Sequence, residues 1–153
     1  MRLVRVQSEH DGVDGAEGPP RYCCAILRDQ RGWYVMERRP ESDPDAPGRL
    51  TFFGGGREDG EGALECLARE VREELGFAVD TARAERVFTL ATPSGPAWFY
   101  VAPGPEPETV RAAEAGYAAV WLTQEQVTAA TLADWHRAAW EGVLAGRASG
   151  TVV

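Results

Sequence analysis

Residues 55–77 read GGREDGEGALECLAREVREELGF, and this stretch decides the fold of the chain. From Gly62 to Leu75 it contains no proline and mostly good helix formers, and Gly76 follows where a helix commonly ends. At roughly 100° per residue, the apolar side chains and the glutamates project from different sides of this helix. The apolar residues are Leu64, Leu67, Ala68, Val71 and Leu75, and the glutamates are Glu70, Glu73 and Glu74. The sequence therefore predicts an amphipathic helix that packs against a core and gathers three carboxylates.

The three carboxylates indicate a cation site. Like charges at spacings of three and four residues weaken an isolated helix by a few tenths of a kcal/mol per pair. Mg²⁺ and Mn²⁺ accept oxygen ligands and would remove that repulsion. Glutamate-rich helices are also common as solvated faces that pair with arginine. Here, however, the run Phe53-Gly54-Gly55-Gly56 precedes the helix, and it can turn tightly and bring backbone carbonyls close to a metal or phosphate.

Gly55, Glu61 and the run from Arg69 to Phe77 stand in the register of a known signature. The stretch resembles the signature of the Nudix hydrolase family, which cleaves pyrophosphate linkages with divalent cations held by the signature glutamates. The resemblance implies an α/β fold, a Nudix-type α/β/α sandwich with a mixed β-sheet. It also implies Mg²⁺ or Mn²⁺ held by Glu70, Glu73 and Glu74, together with a carbonyl of Gly54 or Gly55. Many relatives have proline where this chain has Phe53.

Two further residues of the signature have open roles. Arg69 lies one turn before Glu73 and can orient it through an i,i+4 ion pair, or it is an ordinary surface partner. The resemblance makes Arg69 a catalytic candidate beside the three glutamates. Glu61 precedes the helix, where the helix dipole favours a carboxylate, and an outer contact to the metal is the alternative role.

The general base stays open, because family members place it either on the signature helix or on a later loop. Glu114 is the loop candidate, since it precedes Gly116 and the predicted strand that begins near Tyr117. Glu106 and Glu108 are weaker candidates, because acidic loop residues are usually solvated.

Candidates for substrate binding lie just before the glycine run. Arg38 and Arg39 close a predicted strand, where the family often places an arginine that contacts phosphate. Phe53 is a candidate for stacking on a nucleobase, as are four other aromatic residues, although aromatic residues in strands more often belong to the core. The four are Phe52, Trp98, Phe99 and Tyr100. His136 is interpreted as a histidine on a helix surface.

Composition limits the class of ligand. The chain has 153 residues, enough for one domain with a core that needs no disulfide or structural metal. Its 24 acidic and 16 basic residues give a net charge of −8, which opposes non-specific binding to nucleic acid or anionic membranes. All 16 basic residues are arginines, so a cationic clamp on phosphate must be a guanidinium. A small phosphorylated molecule is therefore the expected partner.

The three cysteines, Cys23, Cys24 and Cys66, lack the spacing of a zinc site and are expected to pack in the core. Cys23 and Cys24 should lie on opposite faces of a strand. The N-terminal residues lack the apolar segment of a signal peptide, and no run reaches membrane-spanning length. These features predict a cytoplasmic protein.

Turn signals and apolar periodicity predict one domain over residues 21–147, after a mobile segment at 1–20 and before a short tail at 148–153. Strands are expected at 22–27, 33–38, 84–90, 97–102 and 118–122, the first two as a hairpin. A capping box at Thr123 and Gln126 predicts one short helix, and a final helix is expected from Thr131 to Ala145.

These observations lead to a divalent-metal-dependent hydrolase that cleaves the pyrophosphate bond of a nucleoside diphosphate linked to another moiety. The alternative is a binding or regulatory module of the same fold without turnover. An acidic interaction protein with no small ligand also fits the net charge, but it leaves the glycine run unexplained. Nucleoside triphosphates, nucleotide sugars and dinucleoside polyphosphates remain open as substrates, and so does homodimer formation.

Overall fold

The computed structural model describes residues 4–5, 18–109 and 116–153. Within these residues there are nine strands in one sheet and three α-helices. The strands are β1 (Val4–Arg5), β2 (Tyr22–Arg28), β3 (Tyr34–Arg38), β4 (Leu50–Thr51), β5 (Phe53–Gly56), β6 (Glu85–Thr92), β7 (Gly95–Pro103), β8 (Ala118–Leu122) and β9 (Ser149–Val152). The helices are α1 (Ala63–Leu75), α2 (Gln124–Ala129) and α3 (Asp134–Leu144), with 3₁₀ turns at Thr81–Arg83 and Pro107–Thr109.

The sheet is mixed, and its strand order is β1-β9-β6-β7-β2-β3-β4. Strand β5 also pairs with β2, and β8 also pairs with β3. The pairs β2–β7 and β6–β9 are parallel, and the other pairs are antiparallel. The predicted hairpin of β2 and β3 is confirmed, with Leu27 opposite Val35. The prediction of an α/β fold with a mixed sheet is therefore confirmed.

Each face of the sheet carries its own apolar core, because successive strand residues point to opposite faces. Cys23 packs on the α1 side with Leu67 and Val71, whereas Cys24 packs on the α3 side with Phe52 and Trp140. The predicted opposite placement of the two cysteines is thus confirmed. All three cysteines are buried and none forms a disulfide. Helix α1 covers one face and α3 covers the other, which gives three layers.

The ends of the helices follow local signals in two of three cases. Helix α1 ends at Gly76, whose φ of 67° is left-handed and whose N–H donates to the Arg72 carbonyl. The capping box predicted for Thr123 and Gln126 is present at α2. Helix α3 begins three residues after the predicted start at Thr131, because that carbonyl accepts from the Leu50 N–H instead of continuing into a helix.

The prediction of a C-terminal tail over residues 148–153 was wrong for residues 149–152. Residues 149–152 form β9, which pairs in parallel with β6 and antiparallel with β1. Val152 is buried in the core on the α3 side, and this burial stabilises the strand. Val4–Arg5, placed by sequence in a mobile segment, forms β1. The rest of that segment, 1–3 and 6–17, lies outside the described residues.

No helix in the described part of the chain is long and apolar enough to span a bilayer.

Candidate active site

The run Gly54–Gly56, here named the glycine turn, is extended rather than tightly turned as expected from sequence, because it pairs with β2 as the end of β5. It touches helix α1 through backbone groups. Gly54 has a φ of 150°, and a Cβ there would lie 2.2 Å from the carbonyl oxygen of Cys23, so this position requires glycine. Its N–H donates to the Glu74 Oε1 atom at 2.9 Å. The Cys66 thiol donates a weak hydrogen bond to the Gly55 carbonyl at 3.7 Å. Two residues of α1 thereby fix the path of the turn.

Glu70 packs directly on the second glycine of the turn. A Cβ added at Gly55 would lie 2.6 Å from the Glu70 carboxyl carbon and 2.7 Å from each of its oxygens. At Gly56, in contrast, the first atom that a Cβ would meet is an Arg21 nitrogen at 3.6 Å, an ordinary contact. The absence of a side chain at Gly55 therefore makes the space that the Glu70 carboxylate occupies.

Arg69 ties four groups of the signature together. Its Nε donates to Glu61 Oε2 at 2.7 Å, and its Nη1 donates to Glu70 Oε1 at 2.9 Å and to Glu73 Oε2 at 3.3 Å. Its Nη2 donates to the Gly56 carbonyl at 2.9 Å. The ion pair predicted between Arg69 and Glu73 is thus present. Arg69 also fixes Glu61, which shows that this carboxylate braces the loop before α1.

The carboxylates fall into two electrostatic groups. The hydrogen bonds that Arg69 donates to Glu61 lower the pKa of Glu61 to about 2, and the same bonds raise the pKa of Arg69. Burial raises the pKa of Glu70, and burial together with the nearby Glu37 carboxylate raises the pKa of Glu74 to about 8. Glu61 is therefore ionised near neutral pH. The ionised forms of Glu70 and Glu74 are disfavoured, and a bound cation would stabilise them.

The residues fit a hard cation in their donor chemistry. Glu70 and Glu74 flank the glycine turn, and the Glu73 side chain is 58% exposed and pairs with Arg69. In the described ranges, however, no three carboxylate, imidazole or thiol groups converge as a ready-made metal cluster. Glu70 is turned towards Arg69, and Glu74 towards the Gly54 N–H. Metal binding would therefore redirect these side chains and exchange hydrogen bonds for oxygen–metal contacts.

A cleft of about 670 Å³ opens on the α3 side of the glycine turn. Gly54, Gly55 and Gly56 form part of its wall, and the remainder includes the aromatic residues Tyr22, Phe52, Phe99 and Trp135 as well as charged side chains. Tyr22 and Trp135 are half-buried, with ring centroids 5.4 Å apart. This volume lies within the usual range of small-molecule sites, about 300–1,000 Å³.

The two arginines proposed for substrate binding are separated by the structure. Arg39 lines the cleft, where its Nη1 lies 3.3 Å from Asp43 Oδ2 and its Nε lies 3.4 Å from Thr51 Oγ1. Arg38 is exposed and is not part of the cleft wall. Of the pair, Arg39 is therefore the one placed to meet a ligand in this cleft.

The prediction that Phe53 binds substrate was wrong. Phe53 is 1% exposed and packs in the core on the α1 side, because Phe53 in β5 pairs with Ala25 in β2 and shares its face of the sheet. Its neighbour Phe52 points to the opposite face and lines the cleft. The candidate base Glu114 lies outside the described residues, and Glu106 accepts a hydrogen bond from the Gln30 N–H.

His136 was interpreted as a surface residue, and the structure corrects this. It lines the cleft, and its Nδ1 accepts a hydrogen bond from the Phe52 N–H at 2.9 Å. Burial, followed by the charge of Arg39, lowers the pKa of His136 to about 3. The signal was in the sequence, because His136 follows Trp135 and lies one helical turn before the buried Trp140.

The lowered pKa of His136 predicts a pH dependence of stability. The folded-state pKa of His136 is about 3 against 6.5 for an unperturbed histidine, so the unfolded chain binds more protons between these values. The free energy of unfolding should therefore fall as the pH drops from 6.5, with a His136 contribution of up to about 1.4 kcal/mol per unit. Urea unfolding at pH 7 and pH 5 measures this slope. His136→Asn keeps an acceptor for Phe52 without titrating and should flatten it, and equal slopes in both proteins would contradict the assignment.

The chain is 40% identical over 53 residues to the nucleoside triphosphatase NudI of Salmonella agona (strain SL483). That match covers 35% of this chain, and it spans only 37% of the relative's length.

Solved structures match over a much larger share. The MutT NUDIX hydrolase from Burkholderia pseudomallei is 25% identical with a TM-score of 0.65, and the match covers 83% of this chain and 99% of that one. DR0079 from Deinococcus radiodurans, 21% identical, also has a TM-score of 0.65, over 92% of this chain and 98% of that one, and this likeness shows the fold. The family model described as the NUDIX domain matches residues 18–141, which is most of the chain. The signature, the fold and this match agree, and the chain therefore belongs to the NUDIX family.

Proposed function

We propose that the protein is a divalent-metal-dependent pyrophosphohydrolase that acts on a nucleoside diphosphate linked to another moiety. The observation that carries this proposal is the position of the glycine turn. Glu70 and Glu74 contact the turn from the α1 side, and the cleft opens against the same residues from the α3 side. A molecule seated in the cleft would thus have its phosphates beside the carboxylates.

Glu70, Glu73 and Glu74 would hold the metal together with the Gly55 carbonyl, and Mg²⁺ or Mn²⁺ suits such oxygen donors. A bound cation of this kind neutralises phosphate oxygens and lowers the pKa of water in its coordination shell. The chain's own contribution is positional. Arg69 holds Glu70 and Glu73 in register with the turn, and it does so from a side chain that is itself only 24% exposed.

Arg39 supplies a cation on the cleft side. It is balanced in part by Asp43 at 3.3 Å and by Glu37 at 3.9 Å, which restrain the guanidinium beside the glycine turn. A restrained guanidinium is suited to bidentate contact with phosphate oxygens. The assignment of Glu114 as general base stays a prediction, as do the cytoplasmic location and a homodimer.

The test is a screen of nucleoside diphosphate derivatives with Mg²⁺, with Mn²⁺ and with chelator, followed by identification of products. Because the relative NudI is named a nucleoside triphosphatase, nucleoside triphosphates belong in the same screen. Simple phosphate monoesters should remain intact, since they lack the second phosphoryl group that serves as leaving group. Tight nucleotide binding without turnover would favour a binding module, and efficient monoester hydrolysis would contradict the proposal.

Two adjacent glycines give a matched test of the carboxylate site. Gly55→Ala should displace Glu70, because the added Cβ would lie 2.6 Å from its carboxyl carbon, and it should weaken Mg²⁺ binding and turnover by about 10-fold or more. Gly56→Ala places its Cβ in ordinary contact and should change both much less. Calorimetric titration with Mn²⁺ and initial rates measure the difference. Equal effects of the two substitutions would show that Glu70 does not depend on the space at Gly55.

A further inference from the structure

The imidazole of His136 is held in one tautomer. Its Nδ1 accepts the hydrogen bond from the Phe52 N–H, so the single proton of the neutral ring resides on Nε2. With its pKa lowered to about 3, the ring stays neutral near pH 7. His136 therefore offers one fixed donor to its surroundings and no second acceptor.

Two aromatic rings, Phe52 and Phe99, pack against the imidazole of His136. The Phe52 ring stacks on the imidazole at a centroid distance of 5.8 Å and an interplanar angle of 30°, and Phe99 meets it edge-on at 5.9 Å. Among the residues that the structure describes, Nδ1 has the Phe52 partner and Nε2 has no hydrogen-bond partner. Since His136 lines the cleft, Nε2–H is the polar group that it can present to a ligand there.

A fixed donor discriminates between nucleobase edges. Guanine presents the acceptors N7 and O6, and O4 of uracil or thymine is an acceptor, whereas cytosine presents the N4 amino donor. A donor that faces another donor in an apolar site stays unsatisfied, which costs more than an average hydrogen bond gains. Sites built around such a group reject ligands that lack the matching atom.

We propose that His136 is a specificity-determining residue, whose Nε2–H donates to an acceptor atom on the base of a nucleotide in the cleft. It thereby selects a base with an acceptor at this position, N7 of guanine or O4 of uracil. The inference rests on the proposed function, because it places a nucleoside on the α3 side of the glycine turn. The base lies against the Tyr22–Trp135 pair, and the phosphates extend towards Gly54, Gly55 and Gly56.

Two amide substitutions separate the two nitrogens of the ring. His136→Asn keeps an acceptor near the Nδ1 position for Phe52 and removes the donor from the Nε2 position. His136→Gln keeps an amide donor near the Nε2 position and removes the acceptor for Phe52. The melting temperature should therefore fall in His136→Gln and stay closer to wild type in His136→Asn. A purely structural role for His136 would confine all effects of both substitutions to this stability readout.

The binding test uses the full-length protein without metal, so that it does not depend on turnover. Calorimetry compares GMP with 7-deaza-GMP, which lacks the N7 acceptor, and UMP with CMP, which replaces the O4 acceptor by an amino donor. The wild type should prefer the acceptor-bearing member of at least one pair by about 10-fold, as one well-formed hydrogen bond allows. His136→Asn should reduce this preference to about 2-fold or less, and His136→Gln should keep most of it.

The outcomes are separable from those of the proposed function. No preference in wild type, or an undiminished preference in His136→Asn, overturns the inference even if metal-dependent turnover is found. A preference that depends on His136 supports the inference even if no substrate is hydrolysed, and in that case the hydrolase proposal alone fails. If His136→Asn does not fold, the wild-type preference and its retention in His136→Gln decide, and loss of either overturns the inference. If none of the four nucleotides binds, the inference is overturned as well.

Discussion

Glu73→Gln should lower kcat by about 100-fold or more, the loss typical of one positioned catalytic group, while the protein stays folded. The substitution keeps the shape of the side chain and removes the negative charge that a cation would need. Its structural cost should be small, because the Glu73 side chain is 58% exposed and its contact with Arg69 is a 3.3 Å surface ion pair. Steady-state rates at saturating Mg²⁺ and a thermal melt of the same preparation measure both effects.

Glu65→Gln is the matched control, since Glu65 is an exposed glutamate in the first turn of the same helix. It removes one negative charge from α1 without touching the glycine turn, and its rate should remain near wild type. Near-normal activity of Glu73→Gln would remove Glu73 from the metal site. Unfolding of Glu73→Gln would instead assign it a structural role.

Leu67→Ala should destabilise the fold by about 2–5 kcal/mol, the usual range for a buried leucine truncated to alanine. Leu67 is fully buried on the α1 side, where it packs among Val71, Leu75 and Phe53. The loss combines the apolar area of the side chain with the cavity that the sheet and helix cannot close. Urea denaturation gives the change in the free energy of unfolding, and rates per folded molecule should change little.

Leu64→Ala removes the same atoms from the same helix at a position that is 38% exposed. Its cost should be much smaller, about 0.5 kcal/mol, as for most surface substitutions. A comparable loss at both positions would mean that the two leucines do not face the core and the solvent as the structure places them. Leu64 was grouped by periodicity with the buried side of α1, so this pair also tests how far the apolar stripe extends.

The signature helix could be predicted from sequence because its signals are local. Absence of proline, the apolar spacing and Gly76 act within α1 itself, and the structure places the helix at Ala63–Leu75. Strand β9 could not be predicted in the same way, since Ser149 and Gly150 are poor strand formers. That strand exists because β6 and β1 pair with it, and such tertiary partners are not visible in a local pattern.

The direction of individual side chains was the second feature that the sequence could not predict. The sequence offers Phe52 or Phe53, and Arg38 or Arg39, as neighbours of a ligand, and a shift of one residue along a strand exchanges its two faces. The register of β5 on β2 makes the choice for the phenylalanines, since Ala25 opposite Phe53 belongs to the core on the α1 side. His136 was missed because a polar residue on a helix was assigned to solvent, although its position one turn before Trp140 places it beside the packed face of α3.

The glycine turn has a consequence for how this protein can change. In the proposed site, the organic part of a ligand would contact side chains from α3 and neighbouring strands, whereas the carboxylates come from α1 on the opposite face. Three residues without side chains stand between them, so substitutions on one face transmit little steric pressure to the other. In this arrangement, substitutions that change ligand preference should therefore leave bond cleavage largely unchanged. A library of variants substituted only at cleft-facing positions such as Tyr22, Trp135 and His136 could be screened for binding of new ligands, while the carboxylates of α1 are kept.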